Sequence, residues 1–147
     1  MSYKHAIIAG VNKCGTTSAF RYLSDHPGVC GSSIKEIRFF LQDPYDASTN
    51  SVERYQAYFA HCTNNQMFLE ASPSYFSWGK EIADRILGLI PAVKIIVMLR
   101  DPIDRLHSYY RSALVYDNYA NALLSDIKFS EFVDTALKAD KEVGEMD

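Results

Sequence analysis

The chain has 147 residues, the size of one ordinary domain, and 48% of them are hydrophobic, enough for a core and too many for a disordered polar segment. A formal net charge of -3 gives no basis for a nucleic-acid-binding surface, and no run approaches the ~18 apolar residues of a membrane span. Cys14, Cys30 and Cys62 are odd in number and widely spaced, the four histidines show no ligand spacing, and the N-terminal apolar run is too short for a secretory signal; reduced thiols, no metal site and a cytoplasmic location are expected.

In chain order, His5 to Gly10 reads as a short buried strand. Thr16 to Ser24 reads as a helix with Phe20 and Leu23 on one face, ended by His26 to Gly28. A short strand is expected around Val29 and Cys30, then a loop or helical turn over Ile34 to Leu41 and a turn-rich stretch over Asp43 to Asn50. Ser51 to Ala60 carries Val52, Tyr55 and Phe59 at helical spacing. Met67 to Glu70 reads as a strand and Ser72 to Ser77 as the loop leaving it. Glu81 to Ile90 is an amphipathic helix on Ile82, Ile86, Leu89 and Ile90, stopped by Pro91. Lys94 to Leu99 is an unbroken run rich in β-branched residues, which suits a strand covered on both faces and lying parallel to and near the first. Asp101 supplies an N-cap, Pro102 the first helical position and Asp104 a carboxylate near the start of a helix reaching about Tyr116. Phe129 to Lys138 is a last helix. This alternation predicts an α/β domain with a mostly parallel sheet and right-handed crossovers. Ligands in such sheets bind beyond the carboxyl ends of strands, where Gly10 to Ser18 and Arg100 to Ser108 fall.

Gly10 and Gly15 stand at the spacing of the glycines in G-x-x-x-x-G-K-[ST], but Thr16 takes the place of the lysine, and the lysine present, Lys13, lies inside the loop. Backbone N–H groups, a helix N-terminus, the hydroxyls of Thr16, Thr17 and Ser18 and the charge of Lys13 would together attract a phosphate-like anion. An ATPase is disfavoured, because no lysine follows Gly15 and no acidic strand end is evident to hold Mg²⁺. A thiol phosphatase built on Cys14 fails on spacing, since Arg21 follows after six residues instead of five. A nucleotide kinase-like phosphotransferase, which needs Mg²⁺, and a non-catalytic nucleotide-binding module are the competing readings.

Four segments between Ile7 and Leu114 carry a more specific resemblance. "GVNKCGTTSAFRYLSDHPGV" is similar to the 5′-phosphosulfate loop of sulfotransferases that use 3′-phosphoadenosine 5′-phosphosulfate (PAPS), and "KIIVMLRDPIDRLHSYYRSAL" resembles their 3′-phosphate-binding signature. "IKEIRFF" and "EASPSYF" resemble segments of the heparan-sulfate and related carbohydrate sulfotransferases. The resemblance implies a P-loop NTPase-like three-layer α/β fold and a metal-free transfer of a sulfuryl group from PAPS to a hydroxyl or amine of a carbohydrate-like acceptor. It implies that Lys13 faces the bridging oxygen and that the loop Cys14, Gly15, Thr16, Thr17 and Ser18 holds the 5′-phosphate. Arg100 and Ser108 would grip the 3′-phosphate, Glu36 would be the general base, and Lys35 would contact the sulfuryl group or acceptor. Arg38 stands where that group has histidine and Ala71 where its loop often has lysine, both on the acceptor side. Residues 1–147 are therefore expected to form one sulfotransferase-type domain lacking the later cofactor-closing loop, the N-terminal portion of a longer enzyme.

Overall fold

β1, His5–Gly10, is buried along its whole length, and its alternation of side chains divides the core in two. A computed structural model describes residues 4–42, 45, 52–63, 65–117 and 127–135. The chain divides into two units, Met1–Leu99 and Arg100–Asp147. In the first, β1 is followed by α1 (Thr16–Ser24), β2 (Val29–Gly31), α2 (Val52–Gln56), β3 (Met67–Ala71), α3 (Gly79–Leu89) and β4 (Lys94–Val97); short 3-10 turns occupy Phe39–Leu41, Ala57–Phe59 and Pro73–Trp78. The sheet order is β2-β3-β1-β4 with every pairing parallel. Ile8 stands opposite Ala71 on one side and Ile96 on the other.

Ala6 and Ile8 join Leu69 and Ala71 on one face, under Ala19 and Phe20 of α1. Ile7 and Ala9 point the other way, into a layer of Phe39, Phe40, Tyr55, Phe59, Phe68 and Tyr75 backed by α3. The first face is aliphatic, with Ile8 and Leu69 between the alanines, and the bulk of the core is aromatic on the second. Phe59 stacks on Phe68 with ring centroids 5.0 Å apart, a geometry that adds to burial.

The expected parallel pairing of β1 and β4 is present. The expected burial of β4 is not: among the described residues it pairs only with β1, and Ile95 and Val97 are 49% and 43% exposed. A β-branched run reports strand propensity, and which faces it covers depends on neighbours the run itself does not encode. Ser72 to Ser77 is not a plain loop; Pro73 opens a 3-10 turn, its fixed φ suiting a first helical position. The helix expected over Ser51 to Ala60 is an α-helix that tightens into a 3-10 turn after Gln56. The thiol reading is corrected as well: Cys30 and Cys62 form a disulfide, with Cα atoms 5.8 Å apart across 32 positions, and Cys14 is a free, buried cysteine. The turn-rich stretch expected over Asp43 to Asn50 lies, apart from Tyr45, outside the described residues.

In the second unit, α4 spans Pro102–Asp117. Asp101 caps it as predicted: its Oδ1 accepts hydrogen bonds from the amides of Ile103 (3.0 Å) and Asp104 (3.2 Å). Residues 129–135 are helical, and the rest of the last predicted helix lies outside the described residues. No helix among the described residues is long and apolar enough to cross a membrane.

Candidate active site

Beyond the carboxyl end of β1 the chain turns through Val11 to Gly15 and enters α1. The amide of Val11 donates to the Met98 carbonyl (3.1 Å), and that of Met98 to the Gly10 carbonyl (2.8 Å), which ties the loop's base to the end of β4. Gly10 is required by packing, since a Cβ there would lie 2.5 Å from the Phe76 Cβ. Gly15 is required by conformation: at φ 82° it is left-handed, the region open mainly to glycine. It is also the N-cap of α1, so no side chain caps that helix, and its first turn carries no acidic residue. Thr16 and Cys14 are buried, Lys13 is half-buried, and Thr17 and Ser18 are exposed. An acid-free helix N-terminus with exposed hydroxyls and a neighbouring lysine fits an anion such as the 5′-phosphate of a nucleotide.

The segment carrying Lys35 and Glu36 lies at the carboxyl end of β3, the strand beside β1. The Glu36 amide donates to the Ala71 carbonyl at 2.9 Å. Its carboxylate is held on both oxygens, by Lys35 Nζ at 2.5 Å and by Arg38 Nη2 at 3.0 Å. Burial pushes the Glu36 carboxyl upward, but the hydrogen bonds and charges of Lys35 and Arg38 outweigh it and hold the group below its ordinary range. Arg38, the departure from the family pattern, is thus a direct partner of Glu36. Among the described residues the non-glycine positions with positive φ are Lys13 (69°), Glu36 (61°) and Arg38 (49°). Such strain persists only where the surroundings enforce it and concentrates at functional sites.

One acidic group at a strand end was not singled out from sequence. Glu70, near the end of β3, is fully buried and accepts hydrogen bonds from Tyr55 (2.8 Å), Ser72 (2.7 Å) and Tyr75 (2.6 Å). Its signal was an acid inside the otherwise apolar "MFLEA". Sealed by three hydroxyls, it is not placed to hold the Mg²⁺ that a kinase requires. Burial raises the Glu70 carboxyl, and the three donors oppose that rise. His61 lies beside the disulfide, its Nε2 3.7 Å from Cys62 Sγ, so Cys30, His61 and Cys62 meet although their sequence spacing gave no sign of it. With the two sulfurs bonded to each other, the trio offers no thiolate ligands. On the aromatic face an apolar groove of about 350 Å³ runs between α3 and β4, lined by Tyr75, Ile82, Ile86, Ile95 and Val97 among others; no charged side chain lines it, which does not suit a phosphate.

In the second unit Arg100 is exposed and Ser108 half-buried. Arg100 precedes α4 and lies 3.9 Å from Asp104 in its first turn; Ser108, four positions after Asp104, shares a face of the helix with it.

A model of the Sulfotransferase family matches residues 2–147. The chain is 28% identical over 144 residues to the bifunctional heparan sulfate N-deacetylase/N-sulfotransferase 3 of Homo sapiens, covering 93% of this chain and 16% of that protein. It is 34% identical over 109 residues to the heparan sulfate glucosamine 3-O-sulfotransferase 5 of Mus musculus, covering 74% of this chain and 30% of the relative. It is also 34% identical over 111 residues to the membrane-associated sulfotransferase kil1 of Dictyostelium discoideum, with 74% and 22% covered. The crystal structure of a sulfotransferase from Alicyclobacillus acidocaldarius shares the fold at a TM-score of 0.68 and 28% identity, covering 89% of this chain and 56% of that one. The chain thus spans less than a third of these curated relatives.

Proposed function

Because the chain belongs to the Sulfotransferase family, we propose that it takes part in moving a sulfuryl group from PAPS to a hydroxyl or amine of a saccharide acceptor. The observation that carries this reading is the pairing of two strand ends: an anion-suited loop with Lys13 after β1, and a clamped carboxylate, Glu36, at the end of the adjacent β3. PAPS would supply an already activated sulfuryl group. Lys13 would then stabilise the negative charge that builds on the bridging oxygen, while Gly15 to Ser18 hold the 5′-phosphate. Glu36 would accept the acceptor's proton, and Lys35 would orient the sulfuryl group or an anionic acceptor. For Arg100 and Ser108 the sequence resemblance supports a hold on the 3′-phosphate. The names of the relatives, a heparan sulfate N-sulfotransferase and a heparan sulfate 3-O-sulfotransferase, support a saccharide and leave both amine and hydroxyl as acceptor atoms. A cytoplasmic location was expected from sequence; the Cys30–Cys62 disulfide favours an oxidising compartment instead.

The test is sulfate transfer from labelled PAPS to heparan-type oligosaccharides by the full-length protein, with calorimetry of adenosine 3′,5′-bisphosphate in the absence of Mg²⁺. Arg100→Ala should weaken the bisphosphate about tenfold or more, the loss expected for a charge-assisted contact, while adenosine 5′-phosphosulfate changes little. Equal weakening of both ligands removes Arg100 from the 3′-phosphate, and bisphosphate binding that depends on Mg²⁺ overturns the proposal.

A further inference from the structure

Glu70 takes no part in the chemistry just described, yet it is the most enclosed acidic group among the described residues. Tyr55, Ser72 and Tyr75 each donate their one hydroxyl proton to it. Two of those hydroxyls also accept. The Arg38 amide donates to Ser72 Oγ at 3.1 Å, and the Phe40 amide donates to Tyr75 Oη at 3.4 Å. A hydroxyl whose proton is committed to a carboxylate must present its lone pairs elsewhere, and here they face the backbone of residues 38 and 40. Tyr55 differs: its bond to Glu70 is of the same kind, but no amide of the 36–40 segment donates to its hydroxyl.

We infer that Glu70 is a positioning residue for Glu36: by orienting Ser72 and Tyr75 as acceptors, it pins the backbone that holds Glu36 and Arg38 in left-handed conformation. The segment is then fastened at three amides, Glu36 to Ala71, Arg38 to Ser72 and Phe40 to Tyr75. Two of the three depend on Glu70. The inference rests on the reading of Glu36 as the base, and it adds what fixes that base in place: the Lys35 and Arg38 clamp acts on the carboxylate, and the Glu70 network acts on the main chain beneath it.

The test compares three substitutions that each remove one hydroxyl from Glu70: Tyr75→Phe, Ser72→Ala and Tyr55→Phe. Tyr75→Phe frees the Phe40 amide, whereas Tyr55→Phe frees no amide of the segment. In the full-length protein, hydrogen exchange should quicken about tenfold at Phe40 in Tyr75→Phe and at Arg38 in Ser72→Ala, and stay near wild type at both in Tyr55→Phe. Turnover should fall about tenfold in Tyr75→Phe and Ser72→Ala, with bisphosphate affinity within about twofold, because kcat senses the base and the cofactor loop is untouched. In a Glu36→Gln background Tyr75→Phe should cost nothing further in turnover, since there is then no base to misplace. Equal effects of Tyr55→Phe and Tyr75→Phe on exchange and turnover would overturn the inference in favour of a merely structural role. So would loosened amides with undiminished kcat while Glu36→Gln is inactive. If Glu36→Gln is itself fully active, the base reading fails, and the exchange results, with a Glu70→Gln variant that should loosen both amides, alone decide whether Glu70 fastens the segment.

Discussion

At the scale of single residues, Glu36 sets the clearest expectation. A carboxylate held below its ordinary range stays ionised as pH falls through that range, so as a base it remains competent there. The acid limb of turnover should accordingly lie below the usual carboxylate value. Replacing Lys35 and Arg38 together with Met removes the effects that lower the Glu36 carboxyl and leaves burial, which raises it, so the limb should move to higher pH; a pH–rate series on the full-length protein checks this. An unmoved limb would mean that another group governs it. The cysteines give a second expectation. Denatured without reductant and alkylated, the chain should gain one label, at Cys14, and after reduction three, which intact mass measurement counts directly.

At the scale of elements, the helix starts divide by purpose. α4 begins with a side-chain cap and an acid in its first turn, Asp101 and Asp104, as a helix does when stability is the concern. Asp101→Ala should cost about 1 kcal/mol, within a range of roughly 0.5–2 kcal/mol, in denaturant titration. α1 begins with Gly15 and neither device, which leaves its positive end without a side-chain partner of its own. β1, α1 and the α4 cap were legible in sequence because each is written in consecutive residues: an apolar run, a glycine before hydroxyls, an Asp-Pro pair. What escaped reading joins distant residues. Tyr55 reaches Glu70 from 15 positions away, and Cys62 reaches Cys30 from 32, and nothing in either local stretch marks the partner. For the candidate site, spacing and family likeness pointed to the loop residues and to Glu36, whereas the Arg38–Glu36 contact joins side chains across left-handed torsions that no pattern announces.

At the scale of the molecule, the first unit has unequal faces and an open side. Aromatic rings fill the layer beneath α3, aliphatic side chains face α1, and β4 presents Ile95 and Val97 beside an apolar groove. Exposed strand edges with apolar side chains invite pairing with other chains. Residues 1–147 expressed alone should therefore self-associate with rising concentration, and Ile95→Lys should reduce that association in light scattering without loss of the parallel sheet. A monodisperse monomer at high concentration would contradict this.

The left-handed torsions at Lys13, Glu36 and Arg38 bear on why those amino acids are there at all. For folding alone, glycine would serve these positions without torsional cost, and each bulkier residue forgoes roughly 1 kcal/mol of ease. Glycine would loosen the unfolded chain by a similar amount, about 0.5–1 kcal/mol, so Lys13→Gly and Arg38→Gly should leave the melting temperature nearly where it was. An ordinary loop would tolerate such changes in every respect. Here turnover should collapse in Lys13→Gly and lose its acid tolerance in Arg38→Gly, while thermal unfolding scarcely registers either. Sequences drifting under selection for folding alone would have no reason to keep charge at these two corners.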